Sequence, residues 1–222
     1  FHRYPEASWE EFRTSCRIKE ERDKLEIPYI PLAGTGVLAT IKGKNPGKTV
    51  ALRGDMDALE TTETNDIPYK SKHEGKMHAC GHDGHTAMLL GAAKILKDIQ
   101  NELKGTVYLI FQPAEEVAGG AKKMIEESDF MDNVDSVFGI HLWSDVEVGK
   151  VSVEAGPRMA SADFFSLKIK GKAGHGSMPH QTVDAVVAAS AVVMDLQSIV
   201  SREISPFESA VYPYQHPHCH HR

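Results

Sequence analysis

Two rhythms of apolar and polar residues alternate along the first 156 positions of this chain. Short β-rich runs, VLATI at 37–41 and TVALRGD at 49–55, flank the turn-forming KGKNPGK, which predicts two strands. From Gly84 to about Leu103 the apolar residues Ala87, Leu89, Leu90, Ala93, Leu96 and Ile99 return at a helical period, with charged residues opposite. That predicts a helix. GTVYLIFQ (105–112) then reads as a nearly continuous apolar strand, KKMIEES (122–128) as a short helix, and VDSVFGIHLW (134–143) and KVSVEAG (150–156) as two further strands. Strands that alternate with helices and are apolar on both faces imply an α/β sheet covered on both sides.

The rhythm changes after GPRMAS. DFFSLKIKGKAG (163–174) alternates with the period of two expected of a half-exposed strand, and residues 183–200 form a second long helical pattern. The expected organisation is therefore a first domain over residues 1–157, the beginning of a smaller α+β domain over 158–210, and an atypical tail over 211–222. That tail, VYPYQHPHCHHR, fits neither strand nor helix chemistry. It reads either as a chelating His/Cys tract or as a disordered terminus, a cloning remnant or a frame-shifted end. No repeat of solenoid period is present.

Composition narrows the classes. With 222 residues and 41% apolar content the chain can bury a substantial core, as one large domain or two small ones. Lys and Arg total 25 against 31 acidic residues, a net charge of −6 without a long single-sign run. Nothing there suggests a nucleic-acid partner. Cys16, Cys80 and Cys219 are odd in number and widely spaced, which argues against a disulfide framework and for a reducing, cytoplasmic setting. The most apolar stretch, Ala185 to Met194, is ten residues long between Asp184 and Asp195, too short to span a bilayer. FHRYPEASWEEF lacks the pattern of a signal peptide, so no membrane association is expected.

The candidate chemistry lies in KMHACGHDGH, residues 76–85. Cys80 and His82 stand two positions apart in a Gly-containing loop before the helix. In an extended loop such side chains point the same way and can converge on one ion. Zinc-class metals accept both ligand types. A lone CxH also suits a small buried thiol beside a structural histidine, because it lacks the paired spacing of a zinc finger.

Its company shifts the balance. TVALRGD leads into Asp55, Met56 and Asp57; GTVYLIFQ leads into Pro113, Ala114, Glu115 and Glu116; VDSVFGIHLW carries His141 near its end. Ligands of α/β sheets sit outside the carboxyl ends of the strands, so three strand ends deliver acids and a histidine to one edge. One carboxylate of the glutamate pair can hold a metal while its neighbour takes a proton from water that the metal has acidified. Asp57 suits the part of an acid that orients a ligating imidazole through its other ring nitrogen.

RGDMDAL, MHACGHDGHTAMLLGAA, LIFQPAEE, GAKKMI, GIHLW and KGKAGHGSMPH, in that order, resemble the peptidase M20 family, in its branch of N-acyl-amino-acid amidohydrolases. The resemblance implies a zinc-peptidase-like three-layer α/β/α catalytic domain with the beginning of an inserted, ferredoxin-like lid that often dimerises. It implies metal ligands at Cys80, His82, Glu116 and His141, with Glu115 as general acid/base, Asp57 as the orienting carboxylate and His175 as the lid histidine that helps stabilise the oxyanion. Asp55 stands where more distant members place a ligating histidine. The implied cofactors are divalent ions, Zn or Mn with Co or Ni as alternatives, two per site in the intact parent. The implied substrate is a small N-acyl amino acid, and a homodimer through the lid is the implied partner. Family members continue past ISPFESAV to a further ligating histidine; a replacement by His216 of the tail is a weak expectation, because a floppy tail offers no supporting shell. An inactive metal-binding fragment and a dipeptide-cleaving exopeptidase are the competing readings.

Overall fold

A computed structural model describes residues 1–156, 159, 165–205, 207 and 210. The chain divides into two units, Phe1–Val153 and Glu154–Arg222. The boundary expected at 157/158, the tail 211–222 and His216 lie outside the described residues.

The first unit is built on a sheet of five strands: β1 (Tyr29–Leu32), β2 (Gly36–Lys42), β3 (Asn45–Asp55), β4 (Lys104–Gln112) and β5 (Ser136–Gly139). Their order is β1-β2-β4-β3-β5. The pairs β1/β2 and β2/β4 are antiparallel, whereas β3 runs parallel to both β4 and β5. Parallel neighbours need a crossover, and helix α2 (His82–Asp98) supplies the one from β3 to β4. Asp55 consequently pairs with Gln112, so β3 and β4 end side by side at one edge.

Alternation along the strands sends side chains to two cores. Val37, Ala39, Ile41, Leu109 and Phe111 pack with Ile18 of helix α1 (Phe12–Lys24) and with Leu89 and Ala93 of α2. On the other face Leu38, Ala51 and Ile110 meet Met124 of α3 (Gly120–Glu126) and Phe130 of a short 3₁₀ turn. Helix, sheet and helix thus make the three layers that the apolar pattern predicts.

Helix α1 and strand β1 are additions to the sequence reading. The buried side of α1 carries Thr14, Ser15, Ile18 and Arg22, so it shows no apolar period. Its outer side is laced by Arg17–Glu21 at 2.6 Å and Lys24–Glu21 at 3.0 Å, pairs that each stabilise a helix by a few tenths of a kcal/mol. Helix α2 begins two residues before the expected start and so includes His82. Strand β5 stops at Gly139, four residues short of its expected end, which leaves His141 in a loop.

Two expected strands are not seen among the described residues. Residues 150–156 are irregular, and so are 165–174 apart from a single bridge between Lys172 and Val183. Val151 and Val153 are largely exposed. In the second unit, α4 (Ala185–Ser198) is capped by Asp184 Oδ1, which accepts from Val186 N at 2.8 Å and Val187 N at 3.2 Å. A π turn over Ile199–Glu203 extends it. The joined 19-residue helix is long and apolar enough to cross a membrane by length and composition, beyond the ten residues weighed from sequence; core helices of water-soluble proteins meet the same criterion.

Stability of the first unit rests on the sheet centre rather than on β5. Phe111→Ala is expected to cost about 3–5 kcal/mol in urea unfolding, as for other fully buried aromatics. Phe138→Ala, at a side chain 59% exposed on β5, is expected to cost about 0.5 kcal/mol or less.

Candidate metal centre

Four segments meet where β3 and β4 end. The loop after β3 brings Asp55 and Asp57, the start of α2 brings Cys80 and His82, the turn after β4 brings Glu115 and Glu116, and the loop after β5 brings His141. Gly81 adopts φ +86°, a left-handed conformation that glycine takes without penalty. A Cβ there would lie 3.2 Å from Leu142 Cβ. The glycine therefore both turns the chain between Cys80 and His82 and lets the His141 loop approach.

His82 is held by Asp57. Its Nδ1 donates to the Asp57 backbone oxygen at 2.9 Å and to Oδ1 at 3.2 Å, which fixes the proton on Nδ1 and leaves the Nε2 lone pair free. Nε2 is buried without a hydrogen-bond partner. Around it stand Asp55 Oδ2 at 3.5 Å, Glu115 Oε2 at 3.7 Å and Glu116 Oε1 at 3.7 Å. Glu116 Oε1 is likewise buried and unpartnered. His141 donates from Nδ1 to the Leu142 carbonyl at 2.6 Å, and its Nε2 faces Cys80 Sγ at 3.5 Å.

These ligand atoms are turned toward one another across a small shared space. The ligand atoms of Cys80, His82 and His141, and separately those of His82, Glu115 and Glu116, lie within 4.8 Å of one another. Sulfur, imidazole nitrogen and carboxylate oxygen converging on a common space are the donor set of a divalent transition ion, so the residues fit a metal. Their electrostatics agree. Burial pushes the Cys80 thiol up to about 12, with Glu116, Glu115 and Asp55 adding to the rise. Burial raises the Glu116 carboxyl, against the His82 charge and with Glu115 and Asp57. Burial works against a charged His82, but the Asp57 hydrogen bond and the fields of Asp55, Asp57 and Glu116 outweigh it and raise its pKa. A cation would relieve each of these strains.

Asp55 and His85 form a third group with His82, yet His85 has no lone pair to offer. Its Nδ1 donates to Asp55 Oδ1 at 2.6 Å, and its Nε2 accepts from Leu142 N at 2.8 Å. It is a strut between β3 and the His141 loop. Sequence reasoning passed it over, although the GHDGH spacing, three positions along a helix from His82, puts both rings on one face. Asp55 is further engaged by Arg53 at 2.5 Å.

Of the residues expected from sequence, Asp57, Cys80, His82, Glu115, Glu116 and His141 come together. His175 belongs to the second unit, in an exposed turn where its Nδ1 accepts from Ser177 N at 3.2 Å and lies 2.7 Å from Ser177 Oγ.

A mixed α/β sheet with acids, a thiol and imidazoles at its carboxyl edge is a scaffold that presents a candidate metal centre. The chain belongs to peptidase family M20/M25/M40, whose model matches residues 51–217. It is 48% identical over 211 residues to an N-acetyl-L-cysteine deacetylase of Bacillus subtilis (strain 168), covering 95% of this chain and 50% of that protein. It is 46% identical over 212 residues to an N-acyl-L-amino acid amidohydrolase of Geobacillus stearothermophilus, covering 95% and 57%. The chain thus spans about half the length of the curated relatives it matches. Among solved structures it resembles Bacillus subtilis YXEP, described as a dinuclear metal binding peptidase from the M20 family, with 43% identity and a TM-score of 0.68 over 70% of this chain and 44% of that one.

The Asp55 interactions carry a pH signature. Burial alone would raise its carboxyl, but the His85 hydrogen bond and the Arg53 and histidine charges lower it from 3.8 to about 2. A depressed carboxylate contributes stability above its unfolded pKa and loses it as pH falls through the folded one. The stability difference between wild type and Asp55→Asn should therefore be full above about pH 4 and close between 3.8 and about 2, as read by urea midpoints across that range.

Proposed function

We propose that this chain carries the metal site of an amidohydrolase that cleaves the amide bond of N-acyl amino acids. The observation that supports it most is the placement of Glu115 beside Glu116. Both carboxylates reach 3.7 Å from His82 Nε2, but Glu116 is the more buried and has an unpartnered oxygen, whereas the Glu115 side chain is 38% exposed. One acid is thus set to hold a cation and the other to meet water and substrate.

Cys80, His82, Glu116 and His141 would hold a divalent cation, whose chemistry is to acidify water and polarise the acyl carbonyl. Glu115 takes the proton as water oxygen bonds to the acyl carbon, and returns it to the nitrogen as the C–N bond breaks. The products are a carboxylate and a free amino acid. Asp57 keeps His82 in the tautomer that presents Nε2 throughout. The thiol ligand favours zinc-like ions over magnesium or calcium, with Zn or Mn proposed and two ions per site in a full-length relative. A reduced thiol also suits a cytoplasmic setting. A similarity of 46% over 214 residues to a thermostable carboxypeptidase 2 of Saccharolobus solfataricus keeps dipeptides in view as a second substrate class.

The test is amide hydrolysis of N-acetyl-methionine, hippurate, N-acetyl-diaminopimelate and a dipeptide panel by the purified chain with Zn²⁺ or Mn²⁺. Glu115→Gln is expected to lower kcat at least ~100-fold with metal content unchanged. Turnover that survives the substitution, or faster cleavage of dipeptides than of N-acyl amino acids, would overturn the assignment. The lid role of His175 rests on the family resemblance alone. His175→Ala is expected to lower kcat without altering metal affinity.

A further inference from the structure

The first eleven residues touch every segment that bears a candidate ligand except the His141 loop. His2 Nδ1 lies 2.9 Å from Asp83 Oδ2, one position beyond His82. Ser8 Oγ donates to Asp57 Oδ2 at 2.7 Å. Glu11 Oε1 accepts from Ala114 N at 2.8 Å, one position before Glu115. The segment is itself anchored: Ala7 bridges Ala58, Ala58 N donates to the Glu6 carbonyl at 2.8 Å, and the Glu6 carboxylate accepts from Arg13 N and Thr14 N at the start of α1.

Glu11 is the most telling of these contacts. An acid at the start of a helix is ordinarily solvated and favoured by the macrodipole, but Glu11 is 0% exposed. Its Oε1 also accepts from Trp9 N at 3.1 Å, and its Oε2 accepts from Thr35 Oγ1 at 2.6 Å. Burying a carboxylate on neutral donors is costly unless each bond is made. One of those bonds spans 103 positions to Ala114. Ala114 sits at φ +47°, a conformation that a residue with a Cβ holds only when its surroundings impose it. On the far side of the same turn, Glu116 N donates to Asp57 Oδ2 at 3.1 Å. The turn carrying both glutamates is thus pinned at each end by a buried carboxylate, and both carboxylates are gripped by residues 8–11.

We propose that residues 2–11 are a positioning strap for the metal centre, with Glu11 the residue that sets the Glu115–Glu116 turn. This rests on the metal-centre reading above. Groups that orient ligands without touching the ion typically change metal affinity 10–100-fold when removed.

The test uses the whole chain of 222 residues, titrated with Co²⁺ and followed by its thiolate and ligand-field absorption. Glu11→Ala is expected to weaken Co²⁺ binding about 10–100-fold with far-UV circular dichroism unchanged. Glu11→Gln, which keeps an oxygen for the Ala114 and Trp9 N–H groups, should restore most of the affinity. A lower thermal midpoint with wild-type Co²⁺ affinity would reduce Glu11 to a folding residue and overturn the proposal. Should Glu11→Ala fail to fold, Ser8→Ala decides, since it deletes only the tie to Asp57: weaker binding supports the strap and unchanged binding overturns it. Absence of Co²⁺ binding by the wild type would instead remove the metal-centre reading. The strap is then judged by amide exchange over residues 113–120 of the metal-free protein, expected to quicken in the variant and overturned if it does not.

Discussion

The site depends on how one buried carboxylate is shared. Asp57 accepts hydrogen bonds from His82 Nδ1 on its backbone oxygen and Oδ1, and from Ser8 Oγ and Glu116 N on Oδ2. Those bonds join the end of β3 to the start of α2, to the turn after β4 and to the N-terminal segment. Burial raises the Asp57 carboxyl, and the donors from His82, Ser8 and the Glu116 and Glu115 backbone more than reverse that, so its pKa falls. The charge is thereby kept where it has the most to orient.

A division of labour among the polar groups follows. Asp55, Asp57, His85 and Glu11 have their hydrogen-bonding atoms occupied and serve as framework. His82 Nε2 and Glu116 Oε1 are buried and unpartnered, and Cys80 is a free thiol held neutral by burial and by its acidic neighbours. Buried polar atoms without partners are rare in native proteins and carry a cost. Others lie on Thr14, Ser15, Arg22 and His78, but His82 Nε2 and Glu116 Oε1 stand 3.7 Å apart beside the Cys80 thiol, which is the arrangement that gains most from a divalent cation.

Much of this was legible in the chain because the strongest signals are also the most local. Strands β2, β3 and β4 are short apolar runs bounded by turns, α2 shows a helical period, and the acids fall directly after strands, where ligands of such sheets gather. What stayed hidden has physical causes. Helix α1 turns Thr14, Ser15 and Arg22 inward, so its buried side looks polar; the two terminal nitrogens of Arg22 donate to the Ile27 carbonyl, and the guanidinium lies over the Tyr29 ring at 4.4 Å. Glu11 resembles a solvated acid before a helix. His85 resembles a metal ligand, and only the bond from Leu142 N shows that its second nitrogen is taken.

The parallel pairing of β3 with β4 has a consequence for how the protein is made. Asp55 meets Gln112 only after a chain segment on the order of 50 residues, helix α2 included, has been closed into a loop, an entropic cost that comes before any contact in the sheet repays it. Glu116 therefore reaches Asp57 and His82 only when that loop closes, and no short stretch of the chain contains all three. The full donor set is then a property of the completed topology: Cys80 and His82 are neighbours in the chain, but Glu116 joins them only when β4 is in register beside β3.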